Sequence, residues 1–214
     1  VVVLVAAAIL IAVSADVRWH GLFTQLDHRV GMRMLQWDLR DRPWPRRGLT
    51  VGLYFGQRGV ALTAAVLFLG WLSWHYRTIE PMVRLFVGVA ALVLVVYGFK
   101  WGLARAAPVQ YFHGHRGAVG ASYPSGHVAN AVLLWGLADV CAARWPVPVP
   151  LARLIRIGRW IGPFVIVVCM TLLNYHWLSD FAGGACVGVL LLALSVRPVW
   201  STLTRRLAPR GWAG

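Results

Sequence analysis

The sequence predicts an all-α protein, a bundle of six transmembrane helices, and three observations carry that prediction. Of its 214 residues, 59% belong to the set AVILMFWYC and 13% are charged, with a mean hydropathy of +0.65. So few charges cannot cover the surface of a soluble globule of this size. The apolar residues also fall in runs of about 15–18, close to the ~20 needed to cross hydrocarbon. Finally, these runs mostly lack the polar face that a helix on a water-facing core carries.

The elements follow in order. Val1–Val13 is apolar from its first residue, with no basic start or small-residue cleavage site, and reads as a first transmembrane helix. Asp16–Arg47 is polar, its arginines interleaved with Trp19, Leu22, Phe23, Leu35, Trp37 and Trp44. Residues 17–48 are accordingly either an interfacial amphipathic helix in part or a solvated loop. Leu49–Trp74 is the second helix, interrupted by Gln57 and Arg58, an Arg that either snorkels or faces the bundle interior. After the connection His75–Glu80, Pro81 opens a third helix that runs to about Trp101.

Residues 104–125 form a loop that ends in Tyr123-Pro124-Ser125, where Ser125 is a good cap for a fourth helix reaching about Ala142. Arg144–Arg159 holds PVPVP and reads as a basic connector. The fifth helix covers about Trp160–Tyr175 and the sixth about Asp180–Val196, with a basic tail over 199–214. Together these make a single integral membrane domain over 1–214. Trp71, Trp74, Trp101, Trp145, Trp160, Trp177 and Trp200 fall near helix ends, as an aromatic belt does. Gly184-x-x-x-Gly188 is spaced for close helix approach.

The formal net charge is +14, and every basic residue except Lys100 is an Arg. The arginines lie between apolar runs and form no nucleic-acid-binding motif, so membrane lipids with anionic headgroups are the expected partners, and nucleic acid is not. Arg over Lys with abundant Ala, Val and Gly suggests a bacterial, high-GC source. Cys141, Cys169 and Cys186 all lie in apolar runs, an odd count without metal-ligand or disulfide spacing. The sequence carries no signal for an oligomeric state.

Six crossings put both ends of the chain on one side, where the connectors 75–80 and 143–159 and the tail are basic, as cytoplasmic segments are. Asp16–Arg47, on the other side, is as rich in Arg but offset by Asp16, Asp27, Asp38 and Asp41. Localisation in a bacterial plasma membrane is the expectation, with the polar site on the extracytoplasmic face.

That site is where the chemistry converges. The exit of the third helix, the start of the fourth, the end of the fifth and the start of the sixth share one face. They carry Lys100, Ser125-Gly126-His127, His176 and Asp180. A helix beginning at Ser125 would present free N–H groups and a positive dipole end, with an imidazole in its first turn. His176 and Asp180 stand four apart. A carboxylate on one imidazole nitrogen fixes the tautomer and leaves the other free to attack. His127 then serves as acid, while Lys100 and the helix N–H groups stabilise charge on a transferring phosphoryl group.

Pro124-Ser125-Gly126-His127 followed by His176-x-x-x-Asp180 resembles the second and third signature motifs of the type 2 phosphatidic acid phosphatase (PAP2) superfamily. The resemblance extends from Leu49 to Val196 and implies the six-helix PAP2-like fold. It implies further that His176 is a nucleophile forming phosphohistidine, that Asp180 orients it, and that His127 protonates the leaving group. Ser125, Gly126 and Lys100 would bind phosphate, and neither metal nor cofactor is required.

Two motifs depart from the family pattern. Ala107 stands where the first motif has Arg, and Cys169-Met170 where the third has Ser-Arg. A Lys does not reproduce the bidentate geometry of a guanidinium. Arg105 and Arg116 are the nearby candidates to replace one, with Arg105 counted among the phosphate-binding residues. His113 and His115 form an H-x-H pair with no acid beside them, and no metal is expected there. Asp139 lies roughly 18 Å along the helix from His127, too deep for the same site, and is expected to pair with an Arg near the opposite face.

The expected function is a membrane lipid phosphatase acting on a lipid phosphomonoester or diphosphate substrate. Two alternatives stand beside it: a weak or inactive lipid-phosphate-binding member, motivated by Ala107 and Met170, and a lipid phosphotransferase that uses an alcohol in place of water.

Overall fold

The computed structural model describes residues 1–113 and 120–207. Every regular element among them is a helix, and six stretches are long and apolar enough to cross a membrane. The helices are α1 (Val2–Trp19), α2 (Leu22–Trp37), α3 (Pro43–Leu53), α4 (Arg58–His75), α5 (Glu80–Leu103), α6 (Pro108–Phe112), α7 (Gly126–Arg144), α8 (Val149–Leu172), α9 (Leu178–Ser195) and α10 (Pro198–Leu207). His115, Arg116 and the tail beyond Leu207 lie outside the described residues.

The six-helix bundle is organised around α7, which packs against α4, α5, α8 and α9. Some 61% of its spanning window is buried, against 22% for α1. Small residues make that central position possible. Ala129 and Ala131 are fully buried, and a side chain at Gly188 of α9 would meet Val132 at 2.7 Å. The Gly184-x-x-x-Gly188 spacing is thus the contact by which α9 lies on α7.

Several boundaries differ from the sequence expectation, each for a local reason. The first helix continues past Val13 to Trp19, because Val13 and Val17 stay on its buried face and Ser14 bonds to Tyr123. The 17–48 segment is largely helical: α2 buries Thr24, Asp27, Gly31 and Met34 on one face. The second span is two helices, α3 and α4, broken at Tyr54–Gln57, and it starts at Pro43. The 104–125 loop contains the single turn of α6, with Pro108 at its start.

The largest difference lies in the 143–159 connector, where α8 begins at Val149. Pro148 is its N-cap and Pro150 sits in its first turn, where a missing N–H costs nothing. The 199–214 tail begins as helix α10.

At the end of the bundle formed by the start of α5 and the end of α9, one polar cluster is buried. Arg84 donates to Glu80 at 2.6 Å, to the Ser195 carbonyl at 2.9 Å and to Ser201 at 2.9 Å, and Ser201 donates to Glu80 at 2.7 Å. This cluster ties α5, α9 and α10 together. Asp139 accepts from Arg159 at 2.7 Å, near the middle of α8, so its partner is an Arg as expected.

Removing Glu80 would leave Arg84 buried without its counter-charge. Glu80→Ala is expected to lose about 3–5 kcal/mol of stability, the range for breaking a buried pair. The measurement is the thermal unfolding of detergent-solubilised protein, beside the exposed substitution Arg77→Ala as reference.

Candidate active site

The loop before α7 is held by one aromatic side chain. Tyr123 has no exposed surface, and its hydroxyl is 2.8 Å from the Ser14 hydroxyl on α1. Its ring fills the space beside Gly183 of α9, where an added Cβ would lie 2.6–2.7 Å from it. Burial pushes the phenol pKa up to about 12, so the group stays neutral and serves as a hydrogen-bonding wedge.

Ser125 follows at the N-cap of α7, as expected, but its hydroxyl does not cap the helix. Instead its backbone N–H donates to the Asp180 carbonyl at 2.9 Å, which fastens the corner to α9. A Cβ at Gly184 would come within 2.5 Å of the Ser125 carbonyl, so only glycine permits this approach. The Ser125 hydroxyl is left buried without a hydrogen-bond partner among the described residues. Such a group is costly to leave unpaired and would donate to an acceptor brought to the helix N-terminus.

The start of α9 supplies the second half. Asn174, at φ 55, turns the chain out of α8, and its amide donates to the Gly31 carbonyl of α2 at 3.2 Å. Trp177 is the N-cap of α9 and Asp180 its third residue, so the carboxylate accepts the Trp177 N–H at 3.1 Å. The same oxygen, Oδ2, lies 2.9 Å from Nδ1 of His176 and accepts from the Ser122 hydroxyl. Its other oxygen accepts from Arg105 at 2.8 Å. With four donors, a carboxylate with no exposed surface has its lone pairs filled. Nδ1 of His176 therefore carries the proton, and Nε2 has no partner among the described residues.

Arg105 occupies a different place from the one expected. Its guanidinium donates to Ser179 at 2.6 Å and Asp180 at 2.8 Å through one nitrogen, and to Asp27 at 2.7 Å through the other. It also stacks over Trp177, 5.2 Å from the ring centroid. Bonded to two buried carboxylates, it balances their charge, which an open phosphate clamp would not do. The positions of the absent motif residues offer no substitute: Met170 and Cys169 are buried in the core against Leu53 and Ile166, and Ala107 is the N-cap of α6.

Asp27, Ser122 and Ser179 were missed in the sequence. Asp27 accepts from the Ser179 backbone N–H at 3.0 Å and from the Ser179 hydroxyl as well as from Arg105, and it is 1% exposed. One signal could have found it. Thr24, Asp27, Gly31 and Met34 recur at helical spacing, which places an acid on the face that α2 turns inward.

His127 lies in the first turn of α7, within electrostatic range of His176, Lys100 and Arg58. Lys100, in the last turn of α5, is in range of Asp180, Tyr97 and Arg58. The structure thus gathers Lys100, Ser125, Gly126, His127, His176 and Asp180 at one end of the bundle. His113 is exposed just beyond α6, and His115 and Arg116 lie outside the described residues. Among the described residues no three His, Cys, Asp or Glu side chains cluster as metal ligands would.

Comparison with known proteins adds two findings. The family described as the PAP2 superfamily matches residues 81–203. The fold is similar to the crystal structure of the first transmembrane PAP2 type phosphatidylglycerolphosphate phosphatase from Bacillus subtilis. That similarity covers 98% of each chain at 17% identity, with a TM-score of 0.71. No curated protein sequence matches the chain.

The Asp27–Arg105–Asp180 arrangement carries its own test. Asp27→Ala strips Arg105 of one carboxylate and leaves the Ser179 N–H unpaired. A loss of about 3–5 kcal/mol is expected in thermal or denaturant unfolding, with a smaller loss for Asp27→Asn, which keeps an acceptor for Ser179.

Proposed function

The chain belongs to the PAP2 superfamily, and from that premise we propose that it removes phosphate from a lipid phosphomonoester or diphosphate at the rim of the membrane. The observation that carries the reading is the His176–Asp180 pair, with Nδ1 fixed at 2.9 Å from the carboxylate and Nε2 left open. That nitrogen is the nucleophile, and Asp180 is its orienter.

In the first step the Nε2 lone pair of His176 forms a bond to phosphorus while the bond from phosphorus to the lipid oxygen breaks. The departing oxygen keeps the electron pair and takes a proton from protonated His127, leaving the lipid as an alcohol or, from a diphosphate, a monophosphate. Asp180 answers the positive charge that develops on the His176 ring. In the second step water attacks the phosphohistidine and the phosphorus–nitrogen bond returns its electrons to Nε2. The proton lost by water goes to His127, which restores the starting state.

Charge on the equatorial phosphoryl oxygens is met by the free N–H groups at the start of α7, by the Ser125 hydroxyl and by Lys100. The basic segments at the opposite end of the bundle favour an extracytoplasmic site in a single membrane-embedded unit.

Purified protein is expected to release inorganic phosphate from at least one member of a lipid-phosphate panel and to be inhibited by vanadate. His176→Ala is expected to lose at least about 10³-fold in kcat, since the covalent route is gone. Acid-labile, alkali-stable label should appear on wild-type protein quenched during turnover of a phosphorus-labelled substrate. Turnover by His176→Ala at the wild-type rate would reject the nucleophile, and release of the phosphate to an added alcohol in preference to water would make the enzyme a phosphotransferase.

A further inference from the structure

We propose that Arg58, in the first turn of α4, is the guanidinium that binds the substrate phosphate, standing in from a different helix for the clamps missing at positions 107 and 170. The inference rests on the phosphatase reading above and names a further residue of that site.

The need is one of charge and shape. A phosphomonoester brings about −1.5 to −2 charges into the site. Arg105 is already bonded to Asp27, Asp180 and Ser179, which leaves Lys100 as a point charge without a fork. A second cation with planar donors is required close to the two imidazoles.

The break between α3 and α4 brings one to His127. At Gly56 a Cβ would lie 2.3 Å from the His127 carbonyl, so the chain at this break rests on the first turn of α7. Two side-chain donors of α7 fasten it: Asn130 donates to the Gly56 carbonyl at 3.3 Å and Trp135 to the Phe55 carbonyl at 3.1 Å. Helix α4 starts two residues later, with Arg58 as its first residue. The guanidinium stacks over Tyr97, 5.7 Å from the ring centroid, and Tyr97 lies one helical turn before Lys100 on α5.

A cation–π contact of this kind holds the guanidinium against the ring and leaves N–H donors open. Arg58 lies within electrostatic range of both Lys100 and His127. Among the described residues it makes no ion pair with any carboxylate. A cation in a membrane-spanning segment is expensive unless it meets an anion or a polar cavity, and the phosphate is that anion.

The test uses the full-length protein in detergent or lipid vesicles, with four variants: Arg58→Gln, Arg58→Lys, Arg40→Gln and His176→Ala. Arg40 is the comparison because it stacks on Tyr175, the neighbour of His176, at 5.2 Å from the ring centroid. Two readouts are needed: steady-state phosphate release with vanadate inhibition, and the shift in unfolding temperature on adding vanadate or inorganic phosphate.

Arg58→Gln is expected to raise KM and the vanadate inhibition constant by about 10- to 100-fold, the worth of a charge-assisted pair, with partial recovery in Arg58→Lys. Arg40→Gln is expected to leave both unchanged. Wild-type kinetics in Arg58→Gln, or the rise appearing in Arg40→Gln in its place, would overturn the assignment.

Should wild-type protein turn over no lipid phosphate, the phosphatase reading fails while the unfolding assay still decides on Arg58. Vanadate or phosphate must then raise the unfolding temperature of wild type and not of Arg58→Gln. An equal rise in both, or none in either, rejects it. A folding defect would show as a lowered unfolding temperature without ligand, in which case Arg58→Lys carries the comparison.

Discussion

Asp180 is a carboxylate with no path to water, and the site is built around answering its charge. Each of its oxygens is met from a different part of the chain: Trp177 and His176 from the entry to α9, Ser122 from the loop before α7, and Arg105 from the loop after α5. Remove the charge and these segments lose the reason for meeting. The same bonds set the His176 ring and fix its proton, so packing and reactivity have one origin. Burying an ion is unfavourable unless its partners are complete, and here they are. Asp27 extends the arrangement by one step, bringing the amphipathic α2 against α9 through Arg105 and Ser179.

The bilayer explains why such polar clusters sit where they do. Between the two ends of the bundle the described core is almost wholly apolar, with Leu92, Val96, Leu133 and Val187 at its centre. Polar groups gather at the two rims, Asp180 with its partners at one and Glu80 with Arg84 and Ser201 at the other. At the helix break of Tyr54–Gln57, the carbonyls of Phe55 and Gly56 are satisfied by Trp135 and Asn130. Irregular backbone in a membrane segment survives where protein donors replace water.

Much of this was legible in the residues. Hydropathy alone gave six crossings, because a spanning helix has to be apolar for its whole length. The convergence of Lys100, Ser125, His127, His176 and Asp180 follows from alternating crossings and short connections. What was not legible depended on contacts. The α8 start was hidden because proline in a first turn and proline in a loop look alike in sequence. Asp27 reads as one acid among several in an Arg-rich stretch until α2 is seen to turn it inward. Arg105 shows the limit most plainly: its position suggested an open clamp, whereas the nearby carboxylates decide its partners.

The hydrogen bond between Ser14 and Tyr123 has a mechanical side. Helix α1 packs chiefly on α9 with most of its surface toward lipid. A spanning helix answers a mismatch with bilayer thickness by shifting or tilting. Any such movement reaches the ring of Tyr123 directly, and through it the corner that holds Ser125. Membrane thickness and the alignment of the Ser125 corner are therefore joined through the Ser14–Tyr123 pair of hydroxyl groups.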